Sequence, residues 1–366
     1  MDDRGAGHGA LLSRLARHQK RGREPRVPCG APALPPAGQR VTGDRSKGSP
    51  ALKHDRTIKA CSIWRALDVV GDVPALLILE QAFLGTHGFD DFVARTGLAR
   101  SVVSGRLRKL VEEDCLAKRP RKEGRGAYYA LTKKGRDNFP NALMMLRWQH
   151  RWEAASRDFQ VNLHHMTCDA VIEPVPVCEH CGAEIDPRDV DWREGPGLAQ
   201  VVPHYDRRRF NSVVGARRPG GRPLVDAMIE LFGDRWATLV VRAMFTRINR
   251  FDDIQRDTSM ATNILAGRLE RLIRQGIVKT VPYSSHADRV EYRLTPKGRD
   301  LYPVLLTLLQ WGDRWFSDER GPPLLLTHRS CGHDLHMIAA CSGCGDQLKP
   351  SSTRALIEVS ANGDKV

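Results

Sequence analysis

Eight cysteine and histidine side chains occur in two sets with the same spacing, and both residue types are good ligands for zinc. The two sets are His165-x2-Cys168-x9-Cys178-x2-Cys181 and His328-x2-Cys331-x9-Cys341-x2-Cys344. A Cys-x2-Cys turn places two thiolates on one metal ion, and the upstream cysteine and histidine of the same set can complete a tetrahedron. The spacing therefore predicts two structural zinc sites, one within each set.

Three alternatives remain for these clusters. The cysteines could be reduced thiols without metal, or disulfides in an oxidised preparation. Four nearby histidines could replace the histidine ligands: His164, His180, His333 and His336. Only His165 and His328 occupy matched positions in the two copies. A catalytic zinc is disfavoured, because three cysteines and a histidine leave no open position for water. Neither set carries the His-x-Glu that a nucleic-acid deaminase needs, so we expect no enzymatic activity.

Both sets belong to an internal repeat. Gly105-Arg106-Leu107 returns as Gly267-Arg268-Leu269 after 162 residues, and Trp148 and Trp152 return as Trp311 and Trp315 after 163 residues. Repeats of this kind indicate copies of one structural unit, here at about 61–197 and 223–350. We divide the chain into a disordered basic arm (1–56), a first winged helix-turn-helix domain (57–160), a zinc knuckle (161–197), a linker (198–222), a second winged domain (223–320), a second knuckle (321–350) and a tail (351–366).

The apolar periodicity of the first copy predicts the order of elements in a winged helix-turn-helix. The expected elements are helices near Arg65–Val70, Pro74–Phe83, Phe89–Arg95 and Arg100–Glu113, strands at Leu116–Arg119 and Tyr128–Leu131, and a long helix from about Lys133 to Phe159. The predicted fold class is α+β, mainly α, with two tandem winged helix-turn-helix domains, each followed by a small zinc knuckle.

The outward face of the fourth helix has the residue types that read DNA. The second helix of a helix-turn-helix enters the major groove, where arginine pairs with guanine and asparagine with adenine. We predict base contacts from Arg100, Ser101 and Ser104, with Arg108 on the same face, and from Thr262 and Asn263 in the second copy. Gly105 weakens the helix by about 1 kcal/mol relative to alanine, but it would permit close approach to the groove.

Basic side chains near these helices are suited to phosphates. The predicted phosphate contacts are Arg106, Arg121, Lys122, Arg125, Arg268 and Arg289. Solvated surface charge is the alternative for each of them taken singly. The hairpin tip of the first copy is the more basic of the two, so we expect the first copy to contact DNA more strongly.

Charge and hydropathy restrict the partners. The chain has 57 Lys and Arg against 43 Asp and Glu, a formal net charge of +14, which favours nucleic acid first and an acidic membrane surface second. The sequence lacks an apolar run of about 18 residues, which excludes a transmembrane helix, and it lacks the apolar core of a secretory signal. We predict a cytoplasmic, nucleoid-associated protein.

Several motifs together resemble the HxlR family of bacterial winged-helix transcriptional regulators. They are Cys61–Gly71, Phe89-Asp90-Asp91-Phe92, Ser104–Leu107, Gly233-Asp234-Arg235-Trp236 and Tyr292–Gly298. The resemblance implies a homodimeric repressor or activator that binds an inverted repeat and dimerises through terminal helices. Since two copies occur in one chain, an intramolecular pseudo-dimer is the alternative to a homodimer.

The resemblance also implies a redox sensor, since some members of the family sense oxidants through a cysteine at the position of Cys61. Such a thiol must be accessible and lie in a field that favours the thiolate, which Lys59 and Arg65 could supply. A buried, inert cysteine is the alternative.

We therefore predict a sequence-specific regulator of transcription that binds double-stranded DNA, carries two structural zinc ions and responds to redox state or to a ligand. Two other classes remain open. One is a zinc-stapled interaction scaffold with only non-specific affinity for DNA; the other is a hydrolytic or deaminating zinc enzyme, for which no acid or base is suitably placed.

Overall fold

The internal repeat is visible in the order of helices and strands. The structure is a computed structural model that describes residues 58–59, 61–120, 126–154, 159–201, 223–282 and 290–359. The basic arm at 1–56, most of the linker and the tips of both hairpins lie outside the described residues. The expectations for Arg121, Lys122, Arg125 and Arg289 fall there too.

In the part of the chain that the structure describes, each copy contains four helices, a two-stranded hairpin, a split helix and a run of short strands. The elements of the first copy are β1 (Ile58–Lys59), α1 (Ser62–Val70), α2 (Val73–Phe83), α3 (Phe89–Thr96), α4 (Arg100–Glu112), β2 (Leu116–Pro120), β3 (Ala127–Leu131), α5 (Lys133–Arg136), α6 (Phe139–Glu153), β4 (Phe159–His165), β5 (Ala170–Ile172), β6 (Pro174–Cys178), β7 (Val190–Glu194) and β8 (Gln200–Val201). The elements of the second copy are α7 (Asp226–Phe232), α8 (Arg235–Phe245), α9 (Phe251–Thr258), α10 (Thr262–Arg274), β9 (Val278–Pro282), β10 (Val290–Leu294), α11 (Pro296–Arg299), α12 (Tyr302–Phe316), β11 (Leu324–His328), β12 (Met337–Cys341) and β13 (Thr353–Val359).

The single long helix expected from Lys133 to Phe159 is wrong in two respects. The chain forms a short helix, α5, and then a separate helix, α6, which has Pro140 in its first turn and ends at Glu153. Proline favours the first turn because it lacks the amide hydrogen that the helix interior needs. Phe159 already belongs to β4, so strands take a larger share of the chain than a mainly α fold implies.

A shared motif turns the chain from the hairpin into the split helix. The hydroxyl of Thr132 accepts a hydrogen bond from the backbone N–H of Gly135 at 3.1 Å, and Thr295 does the same for Gly298. A Cβ on Gly135 would lie 2.1 Å from the carbonyl oxygen of Cys115. Only glycine therefore allows α5 to pack this closely on the start of β2.

The strands after the winged domains pair between the two copies. Within the described residues, β6 pairs with β12, β7 pairs with β11, and β4 lies between β13 and β5, all antiparallel. The expectation of two separate knuckles therefore needs correction, because each segment contributes strands to sheets that it shares with the other copy.

The helices that flank the winged domains also pack across the repeat. Helix α1 of the first copy packs on α12 of the second, α7 of the second packs on α6 of the first, and α6 contacts α12. One continuous cluster of buried apolar side chains contains residues from both copies. The two copies are therefore joined by a shared core rather than tethered by the linker alone.

Candidate metal clusters and nucleic-acid interface

One cluster combines a His-x2-Cys pair from the first copy with a Cys-x2-Cys pair from the second. Its members are His165, Cys168, Cys341 and Cys344, whose ligand atoms all lie within 4.8 Å of one another. The sulfurs of Cys168 and Cys341 are 3.8 Å apart, and Nδ1 of His165 lies 3.3 Å from Cys168 Sγ. Two sulfurs about 2.3 Å from a tetrahedral ion would be roughly 3.8 Å apart, so the donor set fits such an ion.

The second cluster takes its Cys-x2-Cys pair from the first copy and its His-x2-Cys pair from the second. Its members are Cys178, Cys181, His328 and Cys331. Nδ1 of His328 lies 3.4 Å from the sulfur of Cys181 and 3.5 Å from that of Cys331. The other ring nitrogen, Nε2, lies 3.2 Å from an oxygen of Asp189. A carboxylate at this place fixes the tautomer that presents Nδ1 to a metal.

The structure thus changes how the eight predicted ligands are grouped. The sequence spacing led us to expect each site within one set, but each cluster takes two residues from each copy. The physical reason is the pairing of β6 with β12, which aligns Cys178 with Met337 and Cys341 with Pro174. This pairing carries each Cys-x2-Cys turn away from its own histidine and toward the histidine of the other copy.

Backbone amides donate hydrogen bonds to one thiol of the first cluster, that of Cys341. The N–H groups of Gly343 and Cys344 approach Cys341 Sγ at 3.3 and 3.5 Å. Burial raises the pKa of Cys341, but the hydrogen bonds from these amides, together with those from the Cys344 and Cys168 thiols, bring it below its ordinary value. Burial, followed by hydrogen bonds with Cys341 and Cys344, raises the pKa of Cys168 to about 11. Metal binding at this cluster would therefore release protons.

The outward face of α4 is exposed as expected. Val103, Leu107 and Leu110 are fully buried, whereas Ser101, Ser104 and Arg108 are exposed. Arg100 is also exposed, although its guanidinium forms an ion pair with Asp90 at 2.7 Å and lies over the ring of Phe89. These contacts hold Arg100 at the first turn of the helix without burying it.

The second copy presents a similar face on α10. Leu265, Leu269 and Leu272 are buried, and Thr262 and Asn263 are exposed at the first turn. The hydroxyl of Thr262 accepts a hydrogen bond from Gln255 Nε2 at 2.9 Å. The two faces therefore share a backbone position but differ in side chains.

Two of the predicted phosphate contacts have partners within the protein. Arg106 forms an ion pair with Asp72 at 2.9 Å, and Arg268 forms the equivalent pair with Asp234 at 2.5 Å. Both aspartates also cap the following helix, with Asp72 accepting from the N–H of Ala75 at 2.8 Å. These arginines tie α4 and α10 to the cores of their domains. The structure gives no support to their use as free phosphate contacts.

Cys61 lies next to a basic residue that sequence reasoning missed. The neighbours expected to supply a positive field are engaged elsewhere: Lys59 pairs with Glu194, and Arg65 donates to the carbonyl of Phe316 at 2.6 Å. Instead, Arg242 of the second copy neighbours Cys61. Burial alone would lower the pKa of Arg242, but Cys61 and Asp257 raise it. The repeat gave no signal for this contact, since it depends on how the copies pack.

The described residues contain no helix with the length and apolar character that a membrane span requires.

Comparison with protein families finds a match in each copy. The model of a family described as HxlR-like helix-turn-helix matches residues 69–157 and 231–320. The first matched segment includes α4 and the β2–β3 hairpin, and the second includes α10 and the β9–β10 hairpin.

Several curated proteins align with part of the chain. An uncharacterized HTH-type transcriptional regulator of Mycobacterium tuberculosis is 38% identical over 124 residues, which are 34% of this chain and 78% of that protein. YvaP of Bacillus subtilis, also an uncharacterized HTH-type transcriptional regulator, is 29% identical over 94 residues, or 25% of this chain and 87% of that protein. The crystal structure of a protein named PA1607 has 35% identity and a TM-score of 0.34, and covers 39% of this chain and 97% of that one.

Proposed function

Because this chain belongs to the HxlR-like helix-turn-helix family, we propose that it is a transcriptional regulator that binds a specific sequence of double-stranded DNA. The observation that carries the proposal is the exposed first turn of α4 and of α10, each set on a buried apolar face. The first residues of a recognition helix are those that meet base edges in the major groove.

Family membership confirms the expectation that the protein is a helix-turn-helix protein and not an enzyme. The donor sets agree with this, since three sulfurs and one nitrogen leave no position for substrate on a tetrahedral ion.

Base contacts would come from both copies. Arg100, Ser101, Ser104 and Arg108 are the candidates in the first copy, and Thr262 and Asn263 in the second. Arg100 can pair with a guanine and Asn263 with an adenine. The two half-sites would therefore differ in sequence. The wing residues Arg121, Lys122, Arg125 and Arg289 stay proposed phosphate contacts, whereas Arg106 and Arg268 would position their helices through Asp72 and Asp234.

One chain would bind one operator as an intramolecular pseudo-dimer. The shared sheets and the packing of α1 on α12 and of α7 on α6 support this arrangement. A twofold dimer normally uses the same surface patch on two subunits. Here both patches belong to one chain.

The two clusters would hold structural zinc. Cysteine and histidine in this ratio and geometry favour zinc over oxygen-preferring ions such as calcium or magnesium. Because each cluster draws on both copies, each zinc ion would tie the end of one copy to the end of the other. Zinc would thus fix the distance between the two recognition helices.

Cys61 would make the regulator responsive to oxidants. Oxidation converts a cysteine thiol into a bulkier and more polar group. Arg242, on α8 of the other copy, neighbours Cys61. Oxidation of Cys61 would therefore alter a contact between the copies. Peptide mapping after brief exposure to peroxide tests this, and oxidation of the half-buried Cys61 before the buried Cys115 is the expected result.

Selection of bound duplexes from a random library, with zinc and reductant present, tests the main proposal. We expect one motif with two unlike half-sites, bound by one chain per duplex. Binding without any enriched motif, lost in moderate salt, would instead support a scaffold with non-specific affinity. A regulator of this kind would act in the cytoplasm on the nucleoid.

A further inference from the structure

A cavity of about 380 Å³ lies between the two copies. It adjoins the first metal cluster, since Leu163 and Met166 on either side of His165 line it, but none of its lining residues belongs to α4 or α10. Its walls come from α2 and α6 of the first copy, the start of α7, and β13 with the residues before it. Apolar side chains dominate the lining, including the tilted ring pair of Phe83 and Phe139. This size and composition are typical of sites for small organic molecules.

Two residues of the lining each carry a buried polar atom without a partner in the described part of the chain. These atoms are Nδ2 of Asn138 and Oγ1 of Thr353. Asn138 is only 4% exposed, so water does not freely solvate its amide. A buried donor without a partner costs about 1–3 kcal/mol, and such groups in native proteins call for an explanation. A ligand with an oxygen acceptor would supply the missing bond.

The second copy has different residues at the equivalent positions. The residue equivalent to Asn138 is Leu301, which is fully buried. Gly312 lets α1 approach α12 so closely that a Cβ there would lie 2.2 Å from the carbonyl oxygen of Ser62. The equivalent residue in α6 is Gln149, whose side chain bonds Asp226 at 3.0 Å and the N–H of Ala227 at 3.1 Å. A glutamine thus stands between α6 and α7, where glycine allows direct contact in the other pair.

The charges at the cavity favour an uncharged ligand. Glu80 and Arg354 both contribute to the lining, so their opposite charges would offset each other for a charged guest. The carboxylate of Glu80 is also engaged, since it accepts the N–H of Leu224 at 3.0 Å. The buried polar atoms of the lining residues that have no partner are those of Asn138 and Thr353.

We infer that this cavity is an effector site for a neutral aromatic molecule that carries a carbonyl oxygen, which accepts a hydrogen bond from Asn138. The effector role rests on the proposed function. Helix α2 forms one wall and packs against the recognition helix α4, while α7 forms another wall and packs against α8. A ligand that moves α2 relative to α7 would change the placement of one recognition helix relative to the other.

Benzophenone is a suitable probe, because it is a neutral aromatic ketone and becomes a photo-crosslinker under near-ultraviolet light. We expect saturable binding to the zinc-loaded full chain by calorimetry, and cross-links that map to α2, α6 or β13. Diphenylmethane has the same shape without the carbonyl, so it should bind about fivefold more weakly, the worth of one ordinary hydrogen bond. That difference should vanish in Asn138→Leu, which copies the second repeat at this position.

Ala142→Phe fills the cavity and should abolish binding of both compounds. If Ala142→Phe does not fold, Asn138→Leu still provides a decisive test. Equal affinities of the wild-type chain for the two compounds, or cross-links elsewhere, would overturn the site. These measurements need no DNA, so they stand apart from the proposed function.

The effector role is tested separately with the selected operator. We expect saturating benzophenone to change the Kd for DNA at least threefold in the wild-type chain and not in Ala142→Phe. An unchanged Kd despite binding in the cavity would overturn the effector role. Failure of the protein to select any operator would overturn the proposed function but leave the binding site intact.

Discussion

Trp148 of the first copy donates its indole N–H to the backbone carbonyl of Lys297 in the second copy, over 3.0 Å. The equivalent Trp311 donates to the carbonyl of Lys134 in the first copy, over 2.9 Å. Arg151 with Asp300 and Arg314 with Asp137 form a second reciprocal pair. Such exchange of equivalent contacts is the mark of a twofold interface, which here lies inside one chain.

The metal clusters allow a decisive test of which residues share an ion. The double variant with Cys168→Ser and Cys344→Ser removes two ligands from the first cluster and none from the second. Elemental analysis should therefore find one zinc per chain. Cys168→Ser with Cys181→Ser alters both clusters and should leave none, because a thiolate is lost from each.

These two double variants are matched controls for each other, since each removes two cysteines. If the ligands were grouped within one copy, the results would be exchanged: the first pair would lose both ions and the second only one. Removal of zinc from the wild-type chain with a chelator should also make the chain easier for a protease to cleave between the two copies.

Two glycines of the first copy should respond in opposite ways to alanine. At Gly105 the space for a Cβ is open, whereas at Gly135 a Cβ would lie 2.1 Å from a backbone oxygen. Gly105→Ala should stabilise the protein by about 1 kcal/mol. Gly135→Ala should destabilise it by several times that amount, since α5 must shift. Urea unfolding of the two variants measures both changes.

The same Gly105→Ala variant tests approach to the groove. The proposal expects weaker binding to DNA despite greater stability, because the added methyl lies on the exposed face of α4. Stability and affinity that rise together would argue that α4 does not enter the groove closely.

The order of helices and hairpins could be predicted from the sequence because local signals determine it. The buried face of α4 follows from the spacing of Val103, Leu107 and Leu110. The break between α5 and α6 was missed, although local signals mark it: residues 133–138 include no apolar side chain, and Pro140 follows. The apolar residues at helical spacing begin only at Phe139, which favours a separate start for α6.

The grouping of the metal ligands could not be predicted, for a different reason. The two sets have identical spacing. His165 and Cys168 could therefore share a metal ion with the Cys-x2-Cys turn of their own copy or with that of the other copy. Exchange of the turns between copies therefore leaves no trace in the sequence. Likewise, Arg106 and Arg268 look like surface charges until Asp72 and Asp234 are placed beside them.

Substitutions in the two recognition helices should affect different half-sites. Arg100→Ala should relax the preference at one position of one half-site, and Asn263→Ala should do so in the other, each at a cost of about 1–3 kcal/mol. Competition with duplexes changed at single positions measures both effects. Arg188→Ala is the control, since Arg188 is exposed in a strand-rich segment and paired with Asp186. Effects of both variants on the same half-site would contradict the pseudo-dimer.

The wing should contribute affinity without sequence preference. Arg125→Ala should weaken binding to all duplexes and reduce the slope of log affinity against log salt by about one. Filter binding at several salt concentrations gives this slope, and Arg188→Ala again controls for the loss of one positive charge. An unchanged slope for Arg125→Ala would remove the wing from the proposed interface.

The contact between α1 and α12 should give the protein a measurable pH dependence. Burial raises the pKa of Asp313 to about 6, although the Ser62 hydroxyl donates to its carboxylate and Arg65 and His336 lie near. The folded state thus binds this proton more tightly than the unfolded chain does. The resulting stability is fully present below the ordinary pKa of 3.8 and is lost as the pH rises through about 6. Asp313→Asn keeps the oxygen that accepts from Ser62 but cannot ionise. The variant should therefore exceed the wild type in stability at pH 7.5, by about 1–3 kcal/mol, with a smaller gain at pH 5.

Urea unfolding of both proteins at each pH measures this difference, and titrations common to the two chains cancel in it. Asp318→Asn is the matched control on the same segment, because a hydrogen bond from Arg320 lowers the pKa of Asp318. That carboxylate favours folding in its charged form, so its replacement should give no gain at pH 7.5. A gain for Asp313→Asn that is equal at both pH values would show that packing, not ionisation, separates it from the wild type. The pH dependence would then lie outside the contact between α1 and α12.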